Sequence, residues 1–543
     1  MPYEGDGRLP IIYVRGFAGG GAGIDTAVDD PFYGFNEGSV QVRVDGADRP
    51  AFHQFESPLL RLMTDHGYRL LVHGNQEAYL RQQAPGSVPS ATVWVHRFYD
   101  EFASVLTRDP AGFSLERAAQ SLLDLVLLVR RTTGAPRVFL VAHSMGGLIV
   151  RSLLQRVVPD DERFGGSLDA ATALVDRVFT YASPHGGIEF VGFGLLEKVR
   201  DLTGVLGADI FGPDRMFEYL TPDRVPGAAE RGAFRPAAVP EGGFPVDRFF
   251  CLVGTNSADY TTALGLSTRA VGPRSDGLVQ VENAYVEGAP RSLVHRSHSG
   301  RYGIVNSEEG YQNLRRFLFG DLAVTARLVG LRLPGNDTDD TSWQLETALS
   351  IRGLPVVLHQ QSAAHLCPVQ IERRTARDGV DTPVPLVTTF LSSTATRPTD
   401  ERTGTAVTAM RHVLRLRLVS LRERDGLLSF LDHLEQTADW SDTLVVDIGP
   451  DAGGRYGTWA TWSSQIPGAL RDWDPTASDP LTDLDERPGS WRVRVPVPAG
   501  SRELLGPDAA VEIVVAPRST LDREADGGTA AASVGATAGA AAG

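Results

Sequence analysis

The sequence predicts an α/β fold, a mostly parallel sheet with helices on both faces and one large cap-like insertion, over residues 1–322, followed by an all-β sandwich over 323–519. Three observations carry that expectation. Residues 138–150, VFLVAHSMGGLIV, read as a short apolar strand, a turn of small residues around one serine, and the start of an apolar helix. On either side of this stretch strand-like and helix-like segments alternate, the pattern of parallel strands joined by crossover helices. Beyond about residue 325 short alternating segments follow one another, separated by Pro, Gly and Asp, which is the spacing of a sandwich.

Taken in order, residues 11–14 form the first apolar strand and run into Arg15, Gly16, Phe17 and a run of glycines. No G-K-[ST] follows and no G-x-G-x-x-G forms, so this is not read as a phosphate loop. Residues 25–65 read as a polar, loop-rich insertion, and 68–73 and 92–98 as strands. Residues 115–133 recur as a helix through Leu115, Ala118, Leu122, Val126 and Val129, with Ser114 as N-cap and Gly134 and Pro136 as the stop. The helix after Ser144 should run to about residue 158, and 174–182 should be the next buried strand.

The insertion at about 188–246 is rich in apolar residues such as Phe190, Phe193, Leu196 and Met216. It admits two readings: a mobile apolar cap that shelters a greasy chain from water, or a helical insertion packed on the core. Residues 248–254 and 293–295 read as further strands, and 307–319 as a helix, with Asn306 and Glu309 spaced as a capping box. In the β-rich part, strands are expected at 323–331, 343–351, 368–373, 386–391, 413–421, 443–448, 491–497 and 510–515. The acidic run Asn336, Asp337, Thr338, Asp339, Asp340 lacks the glycine and distal Glu of an EF-hand and reads as a solvated loop. The Ala and Gly rich tail, 520–543, has too little to bury and should be disordered.

Composition excludes several classes. At 543 residues the chain exceeds one ordinary core. A formal net charge of −15 argues against a nucleic-acid partner and against electrostatic docking on anionic lipid. Any membrane contact would then be apolar and transient, through the insertion. Cys251 and Cys367, the only cysteines, stand in no metal or redox spacing, and no cofactor is implied. The opening MPYEGDGRLP has neither a basic region nor an apolar one, so no signal peptide is read there. No run approaches the roughly 18 to 20 apolar residues of a membrane span. A cytoplasmic location is the resulting expectation.

The serine turn also has a chemical reading. A sharp strand-to-helix turn strains its central residue and needs small neighbours two positions away on each side, here Ala142 and Gly146 around Ser144. Ala142 stands where glycine is usual. With this element the chain resembles the α/β-hydrolase family, and AHSMGG is most similar to its bacterial lipases and esterases. Further motifs strengthen the resemblance: Ser183-Pro184-His185-Gly186-Gly187 after a strand, Ser275-Asp276-Gly277-Leu278-Val279, and the closing run SHSGRYGIVNSEEGYQNLRRFLFG, which is similar also to inositol-deacylase-like hydrolases.

The resemblance implies a serine nucleophile, Ser144, then an acid, Asp276, then a base, His298, in the family's chain order. It implies main-chain oxyanion donors at Phe17 and Met145; Arg15 stands where the family often has His, but a backbone donor does not depend on that side chain. Rivals exist at two positions: His295 or His185 for the base, Asp259 for the acid. His298 is preferred because 293–295 reads as strand, which leaves His298 in the loop beyond it. The implied activity is that of a serine carboxylic-ester hydrolase acting on a lipophilic acyl ester. An acyltransferase would use the same residues, and a non-catalytic lipid- or protein-binding hydrolase-like protein is the remaining class. Oligomeric state is not legible.

Overall fold

The computed structural model describes residues 8–16, 30, 32–44, 50–71, 75–102, 114–189, 208–225, 230–258, 271–300, 303–334, 341–371, 382–393, 404, 410–422, 438–450, 456–470, 473–475, 478–485, 487 and 489–518. Phe17, Asp259, the acidic run 336–340, the stretch 190–207 of the insertion and the tail 520–543 lie outside them. The chain divides into two compact units. One holds Met1–Leu314, Asp337–Glu372 and His412–Thr443; the other holds Arg315–Asn336, Arg373–Arg411 and Leu444–Gly543.

The first unit is organised by a parallel sheet. Its strands are β1 (Ile11–Val14), β4 (Arg69–Leu70), β5 (Thr92–His96), β6 (Val138–His143), β7 (Val175–Tyr181), β8 (Phe249–Gly254) and β9 (Arg291–Val294). Among the described residues they lie in the order β4-β5-β1-β6-β7-β8-β9, every neighbour parallel. β6 is central, with Leu140 beside Ile12 on one side and Val178 on the other. Strands buried on both faces must be apolar throughout, and β1, β5 and β8 are buried from end to end. Each such Leu, Val or Phe contributes roughly 1.5–3 kcal/mol.

Helices cover the sheet where the sequence permits them. α1 (Pro58–His66) starts with Ser57 accepting from Leu60 N and stops at Gly67, φ +63°. α2 (Gln76–Gln82) is capped by Asn75. α3 (Leu115–Thr133) matches the periodicity: Ser114 accepts from Arg117 N at 3.1 Å, Gly134 ends it at φ +72°, and Leu115, Ala118, Leu122, Val126 and Val129 are its buried stripe. α4 (Gly146–Ser152) continues through a π turn at Leu153–Val157. α5 (Pro213–Leu220) belongs to the insertion and buries Met216, Tyr219 and Leu220; the Tyr219 hydroxyl donates to Ile210 O at 2.8 Å. α6 (Glu308–Phe319) follows β9.

The described part of the insertion is thus packed against its own unit. Two other expectations change. Within the stretch read as loop, β2 (Ser39–Val44) and β3 (Pro50–Phe55) form an antiparallel hairpin; the alternation S-V-Q-V-R-V is strand-like and was outweighed by the polar composition around it. The cap of α6 is Ser307, whose hydroxyl accepts from Gly310 N at 3.0 Å. Asn306 instead donates to Gly34 O, and Glu309 pairs with Arg296, so no Asn306–Glu309 capping box forms.

β-strands from later in the sequence also belong to the first unit. β11 (Thr341–Ile351) pairs antiparallel with β12 (Val357–Gln361), β13 (Val369–Ile371) and β15 (Met410–Arg422). β12 lies beside β9 and α6: Leu293 N donates to His359 Nδ1 at 3.2 Å, and Asn313 Nδ2 to Leu358 O at 3.0 Å. In the second unit β14 (Val384–Leu391), β10 (Leu322–Val329), β19 (Ala510–Pro517) and β18 (Trp491–Pro496) form an antiparallel sheet in that order. β16 (Trp440–Pro450) pairs there with β17 (Tyr456–Trp462) through Val446 and Ala460. A buried pair, Arg411 with Asp447 at 2.8 Å and 2.9 Å, closes this region, and Arg411 donates further to Leu470 O and Trp473 O. A seven-stranded parallel sheet with helices, followed by β-rich structure, is therefore the architecture among the described residues. Among the described residues no helix is long and apolar enough to cross a membrane.

The His359 contact makes acid stability testable. Burial pushes this imidazole down to about 4, and its Nδ1 is the acceptor for Leu293, so it folds neutral. The unfolded imidazole takes up its proton near pH 6.5, so the unfolded chain binds more protons as pH falls below that value. The contribution is complete above about pH 6.5 and is lost as pH falls toward 4. The urea midpoint should drop between about pH 7 and pH 5, and His359→Asn, whose amide oxygen can still accept, should flatten part of that slope. An unchanged slope in the variant would assign the acid sensitivity elsewhere.

Candidate active site

The site is built where the strands of the parallel sheet end. β6 delivers the chain to Ser144, which takes φ +54°, a left-handed conformation that costs a non-glycine residue on the order of 1–2 kcal/mol. Its N–H donates to Tyr181 O at 2.9 Å, which holds the turn to the end of β7. The next strand end is strained too, with Ala182 at φ +48°. Such residues collect at functional sites because the surrounding structure must impose them.

Small residues make the turn sterically feasible. A Cβ on Gly146 would lie 2.3 Å from Val14 O and 2.7 Å from Arg15 O. One on Gly16 would lie 2.4 Å from Ser144 Cβ, and one on Gly147 2.3 Å from Ser183 Oγ. Ala142, two residues before Ser144, is fully buried between Val14 and Thr180, so its methyl is accommodated.

Three of the expected residues meet. His298 Nε2 lies 2.9 Å from Ser144 Oγ, and His298 Nδ1 lies 2.9 Å from Asp276 Oδ2. Asp276 comes from the tight turn after Arg274, with Gly277 at φ +100°, and is buried. Its Oδ1 accepts from Leu278 N at 3.0 Å and Val279 N at 2.8 Å. A carboxylate accepting on both oxygens sets the tautomer: Nδ1 of His298 carries the proton, and Nε2 accepts from the Ser144 hydroxyl. The two loops are joined in main chain as well, His298 N to Asp276 O at 2.9 Å. Gly254 at the end of β8 permits this approach, since a Cβ there would lie 2.6 Å from Arg296 O and 2.8 Å from Asp276 Cβ.

The rivals are placed elsewhere. β9 ends at Val294, so His295 is outside the strand, and it is exposed; its Nδ1 lies 3.4 Å from Thr255 Oγ1 and its ring stacks at 3.7 Å on His365. His185 is buried with Nε2 on Thr180 Oγ1 at 3.1 Å. Arg151, fully buried on α4, holds that loop by donating to His185 O, and also to Pro236 O and Ala238 O. Met145 is the N-cap of α4, so its amide stands ahead of the first intrahelical acceptor and belongs to the donor end of the helix. Arg15, the departure from His, donates to Tyr33 O, while the Tyr99 hydroxyl donates to Gly16 O at 3.2 Å; both fix the segment that leads to Phe17.

One residue that sequence reasoning passed over belongs here. His143 precedes Ser144, and its Nε2 lies 3.0 Å from His298 O, with the two rings 5.0 Å apart. Burial, then the neighbouring His298, holds its pKa well below the ordinary imidazole value. The only signal was its place inside AHSMGG. Among the described residues no group of three or more His, Cys, Asp or Glu is arranged to hold a metal.

No known family model matches the sequence. Among solved structures the chain is similar to the lin2722 gene product of Listeria innocua, with 12% identity, a TM-score of 0.25, and 57% of this chain and 94% of that one covered. It is similar also to a protein named as a cell surface hydrolase from Lactobacillus plantarum WCFS1, with 13% identity, a TM-score of 0.26, and 57% and 91% covered. At such values these likenesses add nothing to what the site's own geometry says.

The tight approach of β1 and α4 predicts an asymmetry between glycines. Gly146→Ala sets a methyl against two carbonyls and should lower the melting temperature by several degrees, a loss on the order of 1–3 kcal/mol. Gly232→Ala, where a Cβ would meet nothing within 4 Å, should melt with the wild type. Equal melting of both variants by circular dichroism would mean that the strand and helix ends can part at no cost.

Proposed function

We propose that the chain is a serine carboxylic-ester hydrolase that acts on a lipophilic acyl ester through an acyl-enzyme on Ser144. The observation that carries the reading is the continuous relay from Ser144 Oγ to His298 Nε2 and from His298 Nδ1 to Asp276 Oδ2, 2.9 Å at each step. A serine hydroxyl needs a base within hydrogen-bond reach and a third group to orient that base, and these three residues meet both requirements.

In the first half-reaction His298 Nε2 takes the Ser144 proton as Oγ bonds to the acyl carbon. The carbonyl oxygen becomes an oxyanion facing the Met145 amide and, by family resemblance, that of Phe17. Collapse breaks the C–O bond to the alcohol, which leaves with the proton from His298. Water repeats the sequence: His298 takes its proton, hydroxyl adds to the acyl carbon, and the acid departs as Ser144 regains its hydrogen. Asp276 stays a carboxylate and stabilises the imidazolium in both halves. Each oxyanion donor is worth about 100- to 1000-fold in turnover. The lipophilic preference rests on the apolar composition of the insertion and on the resemblance to lipases.

A fluorophosphonate probe should label the wild type on Ser144, and Ser144→Ala should not label. Ser144→Ala and His298→Ala should each lower kcat on p-nitrophenyl esters by about a million-fold, and Asp276→Asn by about 10,000-fold. Activity should rise with acyl chain length. A wild type that neither labels nor turns over any ester of the series would leave the binding-protein reading standing. Faster release of p-nitrophenol when an alcohol is added, with ester as product, would reassign the enzyme as an acyltransferase.

A further inference from the structure

Below the relay, a second histidine connects the nucleophile to the base. His143 is the last residue of β6 and is covalently next to Ser144. Its Nε2 reaches the main-chain carbonyl of His298, whose ring in turn reaches Ser144. The result is a closed circuit: along the backbone from His143 to Ser144, across the hydroxyl to the ring of His298, through that residue to its carbonyl, and back to His143. We propose that His143 is a positioning residue, which fixes the loop bearing His298 so that its Nε2 stays within reach of Ser144 Oγ. The assignment rests on the serine-hydrolase reading for its consequence in catalysis.

The chemistry of the contact is directional. A carbonyl oxygen only accepts, so His143 must carry its proton on Nε2. The group is therefore a neutral donor, a state favoured by its burial and by the second imidazole 5.0 Å away. Neutrality matters, because a fixed positive charge at that distance would oppose formation of the imidazolium on His298. Both N–H groups of His298, main-chain and Nδ1, point to Asp276, whereas its carbonyl faces the end of β6 and accepts from His143. Without His143 the residue would retain its bonds to Asp276 and its ring contact to Ser144, and lose the bond that its carbonyl accepts from the end of β6.

Two variants separate the hydrogen bond from the packing. His143→Phe keeps a planar ring and removes the donor, while His143→Gln keeps an amide N–H near the position of Nε2. In His143→Phe, kcat on a short p-nitrophenyl ester should fall by about 10- to 100-fold, as expected when a catalytic group drifts by up to about 1 Å, with KM changed by less than about twofold. The fluorophosphonate labelling rate should fall in parallel, and His143→Gln should recover most of both. A readout independent of turnover is the downfield proton resonance of His298 Nδ1–H: it should broaden by exchange in His143→Phe and sharpen again in His143→Gln. Equal losses in the two variants, or a wild-type kcat and an unbroadened resonance in His143→Phe, would overturn the positioning role. If the wild type fails to label while the resonance follows the variants as stated, the hydrolase reading falls and the tether between the two loops stands.

Discussion

The site depends on one close approach of main chains. The end of β1, the turn at Ser144 and the first residues of α4 pass within less than the width of a methyl group, which only Gly16 and Gly146 allow. That approach forces Ser144 to φ +54° and brings the amide-rich start of α4 directly beside it. The strain is small beside the apolar burial of β1, β6 and β7 that imposes it. A strained serine on a surface loop would relax; one whose N–H is fastened to Tyr181 O between buried strands does not.

Hydrogen-bond direction gives the site its second constraint. Two acceptor-only groups bound it: the Asp276 carboxylate at one end and the His298 carbonyl at the other. From the first it follows that His298 holds its proton on Nδ1, and from the second that His143 holds its proton on Nε2. Each imidazole is thereby limited to one neutral tautomer, and only His298 keeps a lone pair aimed at a hydroxyl.

That Ser144, Asp276 and His298 would meet was legible in the sequence because each lies in a local motif whose backbone requirements leave a mark: small residues about Ser144, a glycine after Asp276, and for His298 a loop beyond the last apolar strand. The parallel sheet was legible for a similar reason, since strands buried on both faces must be uninterruptedly apolar. What escaped notice was set by partners distant in sequence. β12, whose His359 and two glutamines dilute its apolar pattern, is held by β11 and by Leu293. β17 mixes glycine and threonine with tryptophan, and it is strand by virtue of β16. The hairpin β2–β3 carries its period-2 alternation inside a segment whose overall polarity is that of a loop. His143 carries no signature that distinguishes a donor to a carbonyl 155 residues away from a polar residue at a strand end.

Parallel orientation is what turns these separate motifs into one site. Gly16 follows β1, Ser144 follows β6, Asp276 comes after β8 and His298 follows β9, so all four leave the carboxyl ends of strands. In a parallel sheet those ends share one edge, and the crevice outside them is where such folds place their chemistry. β9 is the edge strand of that sheet, yet it is not left open: β12 lies beside it, accepting from Leu293 N through a buried neutral imidazole and from Asn313 on α6 through a carbonyl. The loop bearing His298 is consequently braced before and after by one strand from the later part of the chain. The β-rich sequence that follows the parallel sheet thus has a physical part in the site: its β12 holds the strand and helix between which His298 lies.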